Sequence, residues 1–344
     1  MITWGVAERI GAAIAGDGGF TKLPGDLDAL GERAVAAVLA TTQLHPLSPL
    51  PPPTAVDRPE WTTANLAIMR ATVAPLEVQL ERQVANLPGP LRTAAGSVVA
   101  AEAGAVVGYM GRRVLGQYEV ILSPDDVPQP PPRLLLVAPN IHEAAARLLV
   151  PLDDLLAWVT VHEVTHAVQF SAAPWLRGHL AGLVGELLAD AQIDVSKGMR
   201  TSIPSLDDLR GLVDRARNDG ILALAAGPER TVLLDRMQAA MALVEGHAEH
   251  VMDAAGVTLV RDLPRLRTAL DRGRTERTPL ASMLERLLGM DLKLRQYRDG
   301  RVFCDAVVAA AGMDGLNRAF AGPEQLPTLE EIAQPQMWLS RVAA

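Results

Sequence analysis

The segment Trp158-Val-Thr-Val-His-Glu-Val-Thr-His-Ala-Val-Gln-Phe170 carries the most informative pattern in this 344-residue chain. Apolar residues recur at helical spacing over residues 152–170, so we predict a helix in an apolar setting over that range. His162 and His166 are four residues apart and therefore share one face of the helix, with Glu163 projecting beside them. Both imidazoles can thus point at a single metal ion.

The chemistry of this helix face favours zinc. Neutral imidazole nitrogens suit Zn2+, and a catalytic zinc site keeps one coordination position open for water. Zinc lowers the pKa of that water towards neutrality, and a neighbouring carboxylate can take its proton and deliver it to a leaving group. The sequence therefore predicts a metallohydrolase with Zn2+ as cofactor, His162 and His166 as ligands and Glu163 as general base.

A third protein ligand is required, and two segments of the chain offer one. Glu186 is followed four residues later by Asp190, and Glu245 is followed four residues later by Glu249. Residues four apart lie on one helical face. In each pair the first carboxylate can therefore bind zinc while the second accepts the N–H of a ligating histidine.

The surroundings of the two glutamates differ. Glu186 lies in a segment that is compatible with an ordinary amphipathic helix showing its charges to water. Glu245 lies in an otherwise apolar stretch, where a buried carboxylate needs a partner such as a cation. Gly246, in the middle of that helix, costs about 1 kcal/mol relative to Ala and indicates a close neighbour at the backbone. His247 and His250 are rival ligands or groups that support the ligands.

The remaining sequence predicts a mainly α protein with a small β-sheet, an α+β class. Aromatic residues make up 3% of the chain. The core must therefore consist mostly of Ala, Leu and Val, a mixture that favours close-packed helices. Two short strands are predicted over residues 117–122 and 133–138, on either side of a proline-rich turn.

We predict a single domain over residues 1–344. Its helical N-terminal part, residues 1–90, contains an extended proline-rich connector at residues 46–59, where repeated prolines prevent a continuous helix. The metal site belongs to residues 91–344. Helices are predicted at residues 61–86, 96–113, 141–149, 152–170, 174–190, 205–218, 228–255, 280–297 and 301–311. Gly104 and Gly108 are four apart, which favours close helix packing.

Charge and composition restrict the partners of the chain. A net charge of -8 and a pI near 5.4 repel a phosphate backbone, so we expect no nucleic-acid partner. No run approaches the roughly 18 uncharged apolar residues of a membrane-spanning helix. Residues 1–16 have the pattern of an amphipathic helix rather than a signal peptide. Cys304 is the only cysteine, so no intrachain disulfide can form and nothing in the chain requires an oxidising compartment. We therefore expect a cytoplasmic protein without a membrane partner.

Several blocks together resemble a known family. They are the quoted segment, then Pro174-Trp-Leu-Arg-Gly-His179, Glu245-Gly-His-Ala-Glu-His-Val-Met-Asp253 and Lys293-Leu-Arg-Gln-Tyr-Arg-Asp-Gly300, followed by Phe303. The chain resembles the zincin-like metallopeptidase type 2 proteins of actinobacteria and related bacteria. Some members carry names that associate them with biosynthesis of the deazaflavin coenzyme. The resemblance implies a zincin-like metalloprotease fold with helical additions and a metallopeptidase activity.

The resemblance also bears on individual residues. It favours Glu245 over Glu186 as the third ligand, because Glu245 opens one of the family blocks. We then expect Glu249 to orient a ligating histidine. Tyr297 lies in another block, and we predict that it donates its hydroxyl to the oxyanion formed when water attacks a carbonyl.

The functional hypothesis is hydrolysis of an amide bond in a peptide or small amide substrate. Residues 133–138 are then the expected edge strand that would hold an extended peptide. The alternative is a non-catalytic protein in which zinc staples two helices and which acts as a binding or accessory subunit. Structural zinc sites are closed by four protein ligands, so a fourth ligand such as His247 or His250 would favour that alternative.

Overall fold

The computed structural model describes residues 2–19, 22–83, 89–122, 130–189, 228–273 and 295–343. Helices make up most of this part of the chain, and a small sheet lies among them. The prediction of a mainly α protein with a small sheet is confirmed. The predicted helix at residues 205–218 and most of the one at residues 280–297 lie outside the described residues.

The helices and strands are numbered in chain order. Up to residue 189 they are α1 (Trp4–Ala15), α2 (Leu27–Thr42), β1 (Pro53–Val56), α3 (Arg58–Gln83), α4 (Gly89–Gly111), β2 (Gly116–Tyr118), β3 (Leu134–Val137), α5 (Ala138–Leu148), α6 (Leu152–Ala172) and α7 (Trp175–Ala189). They continue with α8 (Pro228–Gly256), α9 (Leu263–Gly273), α10 (Arg295–Asn317), α11 (Leu329–Ala333) and α12 (Pro335–Ala343). Two short 3-10 helices, Arg318–Phe320 and Pro323–Gln325, lie between α10 and α11.

The sheet has the strand order β1-β3-β2, with β1 parallel and β2 antiparallel to β3. All four side chains of β3 are buried, as expected for a strand that is covered on both faces. Leu135 and Val137 join a core built with α1, α3 and α4, whereas Leu134 and Leu136 join the larger core. Successive side chains of a strand point to opposite faces, so the two cores lie on opposite sides of the sheet.

One expectation about the strands is wrong. Residues 133–138 contain the central strand β3, so they cannot be the edge that receives a peptide. The predicted connector at residues 46–59 contains β1, which pairs with β3 and covers its second edge. The run Leu134-Leu-Leu-Val137 lacks the apolar–polar alternation of a half-exposed strand, and this is the sequence signal for a central position.

The N-terminal helices divide between the two sides of the sheet. On one side α1 crosses α4 so closely that a Cβ at Gly104 would overlap the backbone of Ala7, and one at Gly108 would overlap that of Gly11. The close packing expected at these two glycines is therefore confirmed. On the other side, α2 packs against α6 and α8. Residues 1–90 thus contribute to both cores.

Among the described helices, only α4 is long and apolar enough, over Arg92–Gly111, to cross a membrane by length and composition. Glu102 interrupts this stretch, and 41% of its most apolar window is buried inside the protein. Buried core helices have the same composition, and the packing of α4 on α1 gives its small residues a structural role.

A second close crossing joins α8 to α10. A Cβ at Gly246 would overlap the backbone of Gly300, and a Cβ at Gly300 would overlap the carbonyl of Ala242. The close neighbour that Gly246 indicated is therefore the backbone of another helix. This crossing holds α8 in place beside α10, and α8 also packs against α6.

We predict that Gly300→Ala lowers the free energy of unfolding by about 1–3 kcal/mol, because the added methyl group forces the two helix backbones apart. Urea unfolding of the metal-free protein measures the change. The matched control is Gly185→Ala on α7, where an added Cβ would meet no atom within 4 Å. The control should be neutral or stabilising by up to about 1 kcal/mol, since Ala is the better helix former. Equal effects of the two substitutions would contradict the proposed close contact.

Candidate metal centre

Helix α6 brings His162, Glu163 and His166, the three fixed residues of an HExxH motif, to one largely buried face. It extends over Leu152–Ala172, and the predicted helix at residues 152–170 is confirmed. The Nε2 atoms of His162 and His166 lie 3.1 Å apart, with the two rings edge to face. Glu163 and His166 are buried, whereas the His162 side chain keeps about a quarter of its surface exposed (26%). The face is therefore largely dry but open on one side.

Helix α8 completes the group with Glu245. Its Oε2 lies 3.9 Å from His162 Nε2 and 3.8 Å from His166 Nε2. The point equidistant from these three atoms lies about 2.1 Å from each, as the radius of the circle through a triangle with sides of 3.1, 3.9 and 3.8 Å. Zinc binds imidazole nitrogen at about 2.0–2.1 Å and carboxylate oxygen at about 2.0–2.2 Å. The three donors therefore fit a zinc ion in both chemistry and spacing.

The rival third ligand lies elsewhere. Glu186 is exposed on α7 and is not a member of the group that could hold a metal. Asp190, its predicted companion, lies outside the described residues. Within the described part of the chain, the clustered metal-binding donors are thus His162, His166 and Glu245.

An arginine from a neighbouring helix holds Glu249. Glu249 lies one helical turn beyond Glu245, where its Oε2 accepts a hydrogen bond of 2.9 Å from Arg267 of α9. Arg267 also pairs with Asp253, and its guanidinium carbon lies 4.6 Å from the centre of the Trp158 ring. The expectation that Glu249 orients a ligating histidine stays a prediction.

Gln169, a residue that the sequence patterns did not single out, lies beside the candidate ligand His166. Its Oε1 is 2.8 Å from His166 Nδ1, and its Nε2 is 2.9 Å from the Val244 carbonyl oxygen. Its Nε2 also lies 2.8 Å from His247 Nδ1. Gln169 lies three residues after His166, a spacing that places both on one helical face, so the sequence already indicated that the two side chains could meet.

His247 and His250 support the fold around the site rather than joining the donor group. His247 is fully buried, and burial, followed by the charges of His250 and His166, lowers its pKa to about 3. Its ring is therefore neutral and accepts the Gln169 N–H at Nδ1. His250 Nδ1 lies 2.6 Å from Asp305 Oδ1 on α10. Neither residue is a member of the group that could hold a metal.

The first histidine of the motif, His162, has a sulfur atom beside its ring. His162 Nδ1 lies 3.1 Å from the thioether sulfur of Met252, which is buried on α8. Sulfur is a weak hydrogen-bond acceptor, so this contact holds the ring less firmly than a contact with an amide oxygen would.

Strand β2 holds the carboxylate of Glu163. The backbone N–H of Tyr118 donates to Glu163 Oε2 at 2.8 Å. The pKa of Glu163 is raised to about 7, mainly by burial and to a smaller extent by the negative charge of Glu245, while His166 and the Tyr118 N–H oppose this shift. In the metal-free protein this carboxyl group thus changes its charge near neutral pH.

Gly116 is a second site residue that sequence reasoning missed. A Cβ at this position would lie 2.7 Å from Val159 Cγ1 and 2.8 Å from Glu163 Cγ. The missing side chain lets β2 lie directly against α6, which brings the Tyr118 N–H within reach of Glu163. The predicted strand at residues 117–122 began one residue too late to include Gly116, which is the first residue of β2. A glycine in a strand often marks such a close approach.

Tyr297 lies in the first turn of α10, but its side chain is not among the described parts of the structure. Its role as oxyanion donor therefore stays a prediction. The described tyrosine beside the site is Tyr118, whose ring centre lies 6.1 Å from that of Phe170. Burial raises the pKa of the Tyr118 hydroxyl, and the positive charge of Arg177 opposes this shift.

The fold and the site together define an α-rich protein with a histidine, histidine and glutamate group on two packed helices. The chain belongs to the zincin-like metallopeptidase family, whose model matches residues 2–339. No curated protein sequence matches the chain significantly.

A solved structure from Chloroflexus aurantiacus is similar over its whole length. It is described as that of "a putative hydrolase with a novel fold". The two chains are 28% identical, the match covers 100% of this chain and 99% of the other, and the TM-score is 0.73. The family and this structure both support a hydrolase.

The raised pKa of Glu163 predicts a pH-dependent stability of the metal-free protein. An unfolded glutamate has a pKa of about 4.3, whereas native Glu163 keeps its proton up to about pH 7. The native state binds more protons in this interval, so the contribution of Glu163 to the free energy of unfolding falls as the pH rises through it. Glu163→Gln removes the titrating group and therefore this pH-dependent loss of stability. The variant should therefore gain stability relative to the wild type between about pH 5 and about pH 8.

Urea unfolding in the presence of a chelator, at both pH values, measures this gain. Glu186→Gln removes an exposed carboxylate on α7 and serves as the control for an ordinary surface substitution. A stability difference between Glu163→Gln and the wild type that does not change with pH would contradict the assignment.

Proposed function

We propose that the chain is a zinc-dependent hydrolase that cleaves an amide bond in a peptide or small amide. The observation that carries this proposal is the convergence of His162 Nε2, His166 Nε2 and Glu245 Oε2 on one point, with the Glu163 carboxylate buried beside them. The family to which the chain belongs supports the same class of reaction.

His162, His166 and Glu245 would hold the metal ion. When bound, zinc supplies a Lewis acid that polarises the substrate carbonyl and lowers the pKa of water. A divalent cation also stabilises the ionised form of a neighbouring carboxylate, so zinc binding favours the deprotonated form of Glu163. The base is then available at neutral pH despite its burial.

Glu163 carries the proton in the proposed reaction. Its carboxylate takes a proton from the attacking water as the water oxygen bonds to the carbonyl carbon. The resulting carboxylic acid gives this proton to the leaving nitrogen as the carbon–nitrogen bond breaks. In this proposed reaction the Tyr118 N–H keeps its hydrogen bond to one oxygen of Glu163, which restricts the orientation of the Glu163 carboxylate.

The substrate would lie beside β2 rather than along residues 133–138. β2 is an edge strand of the described sheet, and Tyr118 is in direct contact with Glu163. The Tyr118 N–H is engaged by Glu163, so an extended peptide would have to use other backbone groups of this strand. We propose a cytoplasmic protein that does not act on nucleic acid or insert into a membrane.

The alternative function is a zinc-stapled helical protein without catalysis. Structural zinc sites use four protein ligands, whereas the described donor group has three members. Catalytic sites use three protein ligands and keep the fourth position for water or substrate. The partial exposure of His162 is consistent with such access, so the donor count favours the enzyme.

We predict that Glu163→Gln retains zinc and loses at least about a hundredfold in any amide hydrolysis, because the ligands remain while the base is removed. A peptide library measured by mass spectrometry identifies a cleaved substrate, and elemental analysis measures the metal. Full activity in the zinc-loaded variant would show that another group is the base.

We predict that the purified protein carries about one zinc ion per chain and that Glu245→Ala weakens zinc binding more than about a hundredfold, through loss of a charged ligand. Competition with a chromophoric chelator measures the affinity. Glu186→Ala is the matched control and should leave the affinity nearly unchanged. A wild-type chain that binds no zinc, or the opposite ranking of the two variants, would overturn the proposed site.

A further inference from the structure

A buried amide lies between the helix of the HExxH sequence and the helix of Glu245. Gln169 is fully buried on α6, and all the polar atoms of its side chain have partners. Val244 and His247, two of these partners, flank Glu245 on α8. We propose that Gln169 is the positioning residue of the metal site, which orients His166 and at the same time ties the segment bearing Glu245 to α6.

The partners of Gln169 determine the direction of its amide. The Val244 carbonyl oxygen can only accept a hydrogen bond, so the amide atom 2.9 Å away must be the nitrogen. The other amide atom, Oε1, is then an acceptor, and His166 must present its proton at Nδ1. With the proton at Nδ1, the lone pair of His166 is at Nε2, the atom that faces His162 and Glu245.

The second N–H of the amide determines the tautomer of His247. It points at His247 Nδ1 at 2.8 Å, so this nitrogen accepts and the proton of the neutral ring lies at Nε2. Nε2 is buried and has no hydrogen-bond partner among the described residues, and the ring packs edge to face on Phe320 with the centres 4.9 Å apart. The Nδ1 atom of His247 therefore accepts a hydrogen bond from the Gln169 amide, whereas the N–H at Nε2 makes no hydrogen bond to the described residues.

This arrangement links two donors that are 79 positions apart in sequence. Glu245 directly follows Val244, whose carbonyl binds the amide, and His166 binds the same amide from the other side. A shift of α8 along α6 would break the bond to Val244 and move Glu245 away from the histidines. One side chain thus positions a ligand from each helix, a role that a carboxylate could not perform, because it has no N–H to give to Val244.

The inference rests on the proposed zinc site, and two substitutions test it. Gln169→Met keeps the length of the side chain and removes the amide. Gln169→Glu keeps an acceptor for His166 Nδ1 and places an oxygen against the Val244 carbonyl. We expect both variants to lose about 10–100-fold in zinc affinity, the usual effect of losing a group that orients a ligand. The d–d absorption spectrum of the cobalt-substituted protein should change in both.

Thr160→Val is the matched control. Thr160 is fully buried on α6, and its hydroxyl donates to the Leu156 carbonyl at 2.8 Å. This substitution removes a buried hydrogen bond from the same helix, so it should lower stability without changing zinc affinity or the cobalt spectrum. Wild-type affinity in Gln169→Met, or equal or tighter binding in Gln169→Glu, would overturn the proposal. A wild-type protein without zinc affinity would refute the metal site itself.

The histidine tautomers provide a test that needs no substitution at Gln169. Two-bond nitrogen–proton NMR spectra of the metal-free wild type, at neutral pH and with 15N-labelled histidine, report which ring nitrogen carries the proton. Replacing His166 and His247 one at a time assigns the signals. We expect the proton at Nδ1 of His166 and at Nε2 of His247. The opposite tautomer in either ring would overturn the proposal, whatever the outcome of zinc binding.

Discussion

The polar face that α6 turns towards α8 is buried, and each of its groups needs a partner away from water. An unpaired carboxylate or imidazole in such a setting costs several kcal/mol, so the two helices can pack only in a register that pairs these groups. His166 is hydrogen-bonded to Gln169, and Gln169 is hydrogen-bonded to Val244 and His247. Glu163 accepts a hydrogen bond from the Tyr118 N–H. The position of β2, the close approach of α8 and the shape of the metal site all depend on this pairing.

Glycines, which have no side chain, allow the strand and helices around the site to pack closely. Gly116 lets β2 lie against α6, and Gly246 and Gly300 let α8 and α10 meet backbone to backbone. Further along α8, one and two helical turns beyond Glu245, Arg267 pairs with Glu249, and both Arg267 and Arg301 pair with Asp253. The acidic residues near Glu245 therefore divide into one that faces the histidines and others that are paired with arginines. Glu245 is the one that lies with His162 and His166 in the group that could hold a metal.

Burial gives the site its electrostatic character. Desolvation raises the pKa of Glu163 to about 7 and lowers that of His247 to about 3, so both groups tend towards their neutral forms in the metal-free protein. The same exclusion of water strengthens any interaction with a cation placed between the donors. A site of this kind is costly to maintain without a cation and would become favourable if one were bound. Under the proposed function, binding of a cation and protonation of Glu163 would therefore be coupled.

The sequence by itself determined the helix of the HExxH sequence, the face shared by His162 and His166, and the mainly α class with a small sheet. These features depend on periodicities of a few residues, which any local stretch of chain displays. It left open Glu245 against Glu186, assigned the edge of the sheet to residues 133–138 and overlooked Gln169, Gly116 and β1. Only the tertiary structure decided these points, because each depends on which segments distant in the chain meet, and that is determined by the packing and pairing of buried groups.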